Sequence, residues 1–323
     1  MTDNEIPAIP KYDITKLNFH EVQLPGHERG MEADVSLDLT NDYPVKFAVP
    51  PLGFDILVQG CTPDQPYLQL ADATTEEIQV EPKQGVKVQV RGFIKEFPKT
   101  VLATCPQTQK SPLDALLGDY IRGNDTTIFV RGSDAPPGDT PTWVTDLIKS
   151  VTVPVPFPGK TFESLMRNFS LADVHFSLPD PFAGPKEPES SPRISAVVKA
   201  LVGLPKEMNF PIAVDRVRAR AEVYYHKKKL GNLDLSKWQK ANSTRIEAHD
   251  NTEAGLAVDS VVKNAPLKIT DDNVFSDLVS DLIFGGKKVV LGVQAAVDVE
   301  TETALGKFVV RDIPAEGKVF VKR

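Results

Sequence analysis

The sequence lacks any run near the roughly 20 consecutive apolar residues that a membrane span needs. Its first residues, MTDNEIPAIPKYD, carry neither a basic leader nor an apolar stretch, so no secretory signal is expected there. If the chain is a fragment, a membrane anchor would lie upstream of Met1. Basic excess is missing too. Lys and Arg number 37 against 44 Asp and Glu, a net charge of −7, which speaks against nucleic acid as a partner. The phosphate-cradling Gly-x-x-x-x-Gly-Lys-Ser/Thr loop, Gly-x-Gly-x-x-Gly, Gly-x-Ser-x-Gly, His-Glu-x-x-His and paired Cys-x-x-Cys are all absent. The 5 histidines (His20, His27, His175, His226 and His249) are scattered, without the spacing of ligands sharing one element. His20 and His175 fall on roughly matching strands and read as structural. No catalytic residue, cofactor or metal is therefore expected, and the chain is read as not an enzyme.

What is abundant is proline. The 27 prolines among 323 residues exceed the usual share of about 5% and sit in short clusters such as VPPLG, APPGDTP and PVPFPG. Such clusters punctuate strands and suit long helices poorly. Between them, MEADVSLDL, FDILVQG, VKVQVRGFI and TTIFVRG alternate apolar and polar residues, the period of a strand with one covered face. In VDRVRARAEVYY, Val217, Ala219, Ala221, Val223 and Tyr225 fall on one face, opposite Arg216, Arg218, Arg220, Glu222 and Tyr224.

The chain also repeats itself. VPFPGK (155–160) and IPAEGK (313–318) place their glycines 158 residues apart. Upstream of each lies an amphipathic helical segment, SPLDALLGDYIRG and DDNVFSDLVSDLIFGG. Further upstream, NDYPVKFAV faces NFPIAV, and NFHEVQLP faces NFSLADVHFSLP, so four markers recur in one order at offsets of 154 to 165. The expected fold is all-β: two tandem immunoglobulin-like β-sandwich domains, residues 14–160 and 161–323, each with a late short α-helix. The repeated Pro-x-x-Gly-Lys is expected at equivalent last-strand turns. In the first helix Ser111, Pro112 and Asp114 suit an N-cap, first turn and capping box.

Several groups invite a functional reading. Cys61 and Cys105 each end a strand-like run; a disulfide in an oxidising compartment and two free thiols in a reducing one both remain open. Asn124, Asn168 and Asn242 open Asn-x-Ser/Thr sequons, where about one is expected by chance, leaning towards a glycoprotein. The acidic stretch ITDDNVFSDLVSD lacks the central Gly and closing Glu of a calcium loop, and helix capping by Asp271 and Asp272 explains it better. Arg216, Arg218 and Arg220, with Lys227, Lys228 and Lys229 beyond, form a possible anionic-surface contact; a solvated sheet face leading into a charged hairpin is the plainer account. Trp143 and Trp238 are expected in short helical turns as core anchors.

VSLDLTNDYPVKFAVPPLGFDILVQG resembles the opening of late-embryogenesis-abundant (LEA) type 2 domains, in which an Asn-containing kink interrupts a strand. The ordered strings PPLGF, SPLDALLGDYIRG, TPTWVTDLIKSVTVP, NFSLADVHFSLPDPF, GLPKEMNFP and RDIPAEGKV resemble the C-terminal portion of a fungal family of vacuolar-membrane proteins. That family is associated with terminating autophagy, and some members carry a pre-rRNA processing label. The resemblance implies an address on the luminal side of the vacuole membrane, reached through an anchor outside this chain, and favours the Cys61–Cys105 bridge. It transfers no site motif. The function expected is a non-enzymatic luminal sensing or interaction ectodomain working through protein partners or self-association, the alternative being a lipid or anionic-membrane-binding β-sandwich module.

Overall fold

The computed structural model describes residues 11–23, 29–135, 137–138, 140–157, 166–180, 182–184, 187, 190–249, 253–284 and 289–321. In chain order these form β1 (Tyr12–Gln23), β2 (Arg29–Leu39), β3 (Phe47–Val49), β4 (Gly53–Thr62), β5 (Gln65–Thr75), β6 (Ile78–Val80), β7 (Val86–Ile94), α1 (Lys99–Leu102), α2 (Pro112–Ile121), β8 (Thr126–Gly132), α3 (Thr142–Ile148) and β9 (Thr152–Phe157). There follow β10 (Met166–Ser177), β11 (Arg193–Gly203), β12 (Met208–Asn209), β13 (Ile212–Tyr225), β14 (Lys228–Ile246), β15 (Gly255–Ile269), α4 (Asp272–Ile283), β16 (Val289–Thr303) and β17 (Gly306–Val321). The fold is all-β, with sheets that curl over themselves in sandwich fashion.

The chain divides into two compact units. Unit 1 draws its described residues from Met1–Leu113, Thr127–Phe157 and Glu207–Phe210; unit 2 draws on Asp114–Thr126, Pro158–Lys206 and Pro211–Arg323. Most of α2 therefore packs with unit 2, although it precedes the sequence boundary near residue 160. Unit 1 is an eight-stranded sheet in the order β12-β1-β2-β7-β5-β4-β8-β9, with β3 and β6 as a separate pair. Its β12 pairs in parallel with Phe19 and His20. Unit 2 is a seven-stranded antiparallel sheet in the order β10-β11-β15-β14-β13-β16-β17. Remove β12 and the two orders coincide strand for strand, with α2 and α4 at the same place in each series.

Alternation explains the strands. In β13, Ala221, Val223 and Tyr225 are buried, while Arg216 and Arg220 are exposed. Curling is helped by bulges at non-glycine residues in the left-handed region. Asp173 (φ 50) lies in β10, Asn264 (φ 48) in β15 and Asp312 (φ 58) in β17, each beside a shift of register. Asn and Asp tolerate this conformation best, and an extra residue on one strand bends and twists it. Two of the three are held by side chains: Asn264 N donates to Ser195 Oγ at 2.9 Å, and Asp312 N to Asp298 Oδ1 at 3.0 Å.

Three sequence expectations change. IPAEGK is not a turn: Ile313–Lys318 lie inside β17, paired with β16 throughout. Pro314 is tolerated because β17 is an edge strand and needs no outward N–H. In VPFPGK, Val155–Phe157 end β9, and residues 158–160 lie outside the described residues. Trp143 opens α3 but is 68% exposed, and Trp238 lies on strand β14 rather than in a helical turn, so neither anchors a core from a helix. Asp114 has a further role: its fully buried carboxylate accepts from Arg311 N at 2.9 Å and the Arg311 guanidinium at 2.5 Å. As expected, Asp271 caps α4, its side chain accepting from Asn273 N and Val274 N.

Candidate functional site

The inward side chains of all seven unit 2 strands line an apolar cavity of about 100 Å³. Phe169, Leu171, Val174 and Phe176 line it from β10, and Val319 and Val321 from β17; Val223, Leu233, Val262 and Val293 lie between. The surface facing the cavity is entirely apolar. Its few polar lining residues turn their heads away. Arg218 Nε donates to Asp298 at 2.8 Å, Ser260 Oγ to Lys240 O at 3.0 Å, and Gln239 Nε2 to Lys237 O at 3.1 Å. No charge is therefore presented to a guest, and the space suits hydrocarbon.

Apolar clusters flank this lumen. In one, α4 lays Val274 and Leu278 beside Tyr225, Leu230, Leu267 and Leu291. The Tyr225 hydroxyl hydrogen-bonds Asp281, and Thr270 N donates to Leu230 O at 3.0 Å. Burial, and then the Asp281 carboxylate, push the Tyr225 hydroxyl up to about 12. Leu204, Val214, Ala241 and Leu256 form a second cluster, and Leu117 packs beside Val310 and Ile313 in a third.

The outer face of β13 carries the arginines picked out by sequence. Arg216 binds Glu300 through two hydrogen bonds, at 2.8 and 2.5 Å. Arg218 pairs with Asp298, and Arg220 with Asp312 at 3.0 Å. Register places Arg216 opposite Glu300 and Arg218 opposite Asp298, the cross-strand arrangement that favours opposite charges. Hydrogen bonding to Glu300 raises the Arg216 pKa. Trp238 supports both cations, with Arg216 at 5.6 Å and Arg218 at 4.6 Å from its ring centre. The basic stripe is thus half of an acid–base lattice and leaves little field for an anionic surface. Beyond it, His226 (φ 46) and Lys227 (φ 66) make a two-residue hairpin turn. Lys229 pairs with Glu222 at 2.6 Å, and Lys227 and Lys228 are exposed at the tip.

The remaining sequence-marked residues lie apart from the lumen or on its outside. In unit 1, Cys61 on β4 and Cys105 in the loop after α1 form a disulfide. Asn124, Asn168 and Asn242 are all exposed. His20, Glu32 and Asp34 bring potential ligand atoms within 4.8 Å of one another. Arg91 already answers those carboxylates, at 3.1 Å from Glu32 and 3.8 Å from Asp34, so the group reads as an ion-pair network. His175 Nδ1 donates locally to Asp173 O, 2.9 Å away. Sequence reasoning missed the individual lumen residues because period-two alternation marks an inward face without saying whether that face meets another side chain or a void.

No curated protein matches the chain. Among solved structures, the CupB6 tip adhesin from Pseudomonas aeruginosa aligns at 7% identity over 97% of this chain and 98% of its own, with a TM-score of 0.17. The BSP domain of a biofilm-associated protein aligns at 8% identity over 96% of this chain and 59% of its own, with a TM-score of 0.16. Scores so low carry no argument about fold or function. The informative match covers β12 to β17: residues 208–322 match the family of Tag1 C-terminal domains.

Proposed function

We propose that the chain is a non-enzymatic ectodomain whose second unit binds a hydrocarbon ligand inside its curled sheet. The observation that carries this reading is the lumen, walled by seven strands and presenting only apolar surface. Apolar cavities stay dry and take up apolar guests; one of about 150 Å³ in another protein binds benzene. At about 100 Å³ the lumen holds part of one slim alkyl chain before its side chains adjust. The Tag1 C-terminal match supports placing the unit in a protein of the kind the sequence resembles, at the luminal side of a vacuolar membrane and linked to the termination of autophagy. The Cys61–Cys105 bridge and three exposed sequons are consistent with that address. Sensing, on this reading, is occupancy of the lumen. Docking on anionic membranes through Arg216, Arg218 and Arg220 has less support, because each is matched by a carboxylate. Contact with protein partners or self-association would use the outer faces.

The test is saturable binding of cis-parinaric acid, a fluorescent fatty acid, by the full chain, with Ala221→Phe as lumen-filled control. Ala221 is buried on the lining, so an added ring occupies the guest's space. Binding by the natural chain and its loss in the variant are expected. Absence of saturable binding by the natural chain refutes the reading.

A further inference from the structure

The seven-stranded sheet of unit 2 has one pair of neighbours that no backbone ladder joins. Six consecutive pairs, from β10-β11 to β16-β17, are laddered. β10 and β17, the two sheet edges, lie alongside each other as the sheet curls round, yet among the described residues no ladder links them. Their contact is made by side chains. Phe169 of β10 seats its ring on Gly317 of β17: a methyl group placed on Gly317 would stand 2.2 Å from Phe169 Cδ1. The inward residues of β10 (Phe169, Leu171, Val174 and Phe176) are only half-buried, whereas Val319 and Val321 opposite are buried. These same residues line the lumen.

Resting on the reading of the lumen as a hydrocarbon site, we propose that the β10–β17 seam is its entrance. Phe169 on Gly317 is the latch, and the guest is a single alkyl chain whose polar head stays outside the seam. Opening at any laddered pair exposes a row of backbone N–H and C=O groups that lose their partners. Opening at the seam breaks no backbone ladder among the described residues; it parts apolar contacts such as Phe169 on Gly317, which the guest's own methylenes replace. The α4 end is a poorer route: the helix is capped by Asp271, tied to β13 through Tyr225 and Asp281, and buries Leu278 completely. Glycine at 317 has a specific use here. Its backbone is not in the left-handed region, so the requirement is steric: any side chain would lift the ring off its seat. The Pro-x-x-Gly-Lys of the last strand thus supplies the latch's seat.

Two measurements test this. The first is photolabelling of the full chain with a fatty acid bearing a diazirine near its carboxylate, followed by peptide mapping. Label is expected on peptides from 166–177 and 306–321. Label confined to 272–283, the α4 end, overturns the seam while sustaining the lumen; no label that excess palmitate displaces overturns the lumen itself. The second is stopped-flow binding of cis-parinaric acid. Phe169→Ala and Gly317→Ala, which release the latch from opposite sides, should each raise the association and dissociation rates on the order of tenfold. Circular dichroism serves as the check of folding. Two folded variants with unchanged rates overturn the proposal. Competition by palmitate and by lysophosphatidylcholine separates the sources. Displacement by palmitate alone assigns a free fatty acid, displacement by lysophosphatidylcholine a lipid tail, and displacement by neither refutes the single-chain guest.

Discussion

Removing the Cys61–Cys105 bridge should weaken unit 1 selectively. The two cysteines are 44 residues apart in sequence, and the bond joins β4 to the loop that follows α1. Loop-closure entropy released to the unfolded chain, −2.1 − 1.5R ln n with n near 44, comes to about 13 cal/mol/K, or roughly 4 kcal/mol at 25 °C. Cys105 is 8% exposed, so its replacement by alanine also thins the packing, by under about 1 kcal/mol for so small a group. For a unit of this size, each kcal/mol moves the melting temperature by about 2–4 °C, which makes the expected fall about 8–16 °C. The assay is hydrogen exchange in graded urea, peptide by peptide, on the natural chain and on Cys61→Ala/Cys105→Ala. Peptides from β4, β5 and β7 should lose protection by the calculated amount, and those from β13 to β17 should not change. A loss below about 1 kcal/mol in unit 1 would refute the reasoning, as would titration of two free thiols in the native protein.

Three further outcomes follow from unit 2. Asp114→Ala strands the Arg311 guanidinium and its backbone N–H, and should cost about 3 kcal/mol by thermal unfolding; Asp114→Asn, which keeps an acceptor but not the charge, should cost less, and equal losses would mean that the acceptor counts for nothing without the charge. Because burial and Asp281 raise the Tyr225 pKa from 10.0 to about 12, the unfolded chain loses this proton first, so its stability contribution is complete below pH 10 and fades between pH 10 and 12. The loss is at most about 2–3 kcal/mol, and urea midpoints for Tyr225→Phe should omit that decline. Asp271→Ala removes an acceptor shared by two N–H groups and should cost about 1 kcal/mol, read as earlier exchange of the α4 amides.

The alternation in β13 predicted which of its residues face inward, because period two projects directly onto the two faces of a strand. Asp271 and the stripe from Val274 to Ile283 likewise announced α4, since a cap and its helix are local. The arginines of β13 were legible as a stripe, but their partners were not. Asp298, Glu300 and Asp312 are 80 to 92 residues away in sequence, and register across β16 and β17 brings them opposite. Asp114 and Arg311, 197 residues apart, are beyond any local pattern. Trp143 was misread because an aromatic residue at a helix start carries no mark of which side the core occupies.

Local chemistry along the chain therefore settled the strands and the capped helix, both written at short range in alternation and turns. Tertiary structure alone decided that the sheet of unit 2 curls until its edges meet, that a void remains inside, and that Phe169 rests on Gly317. Those depend on the sum of twist and bulges over seven strands, a quantity no single stretch of sequence contains.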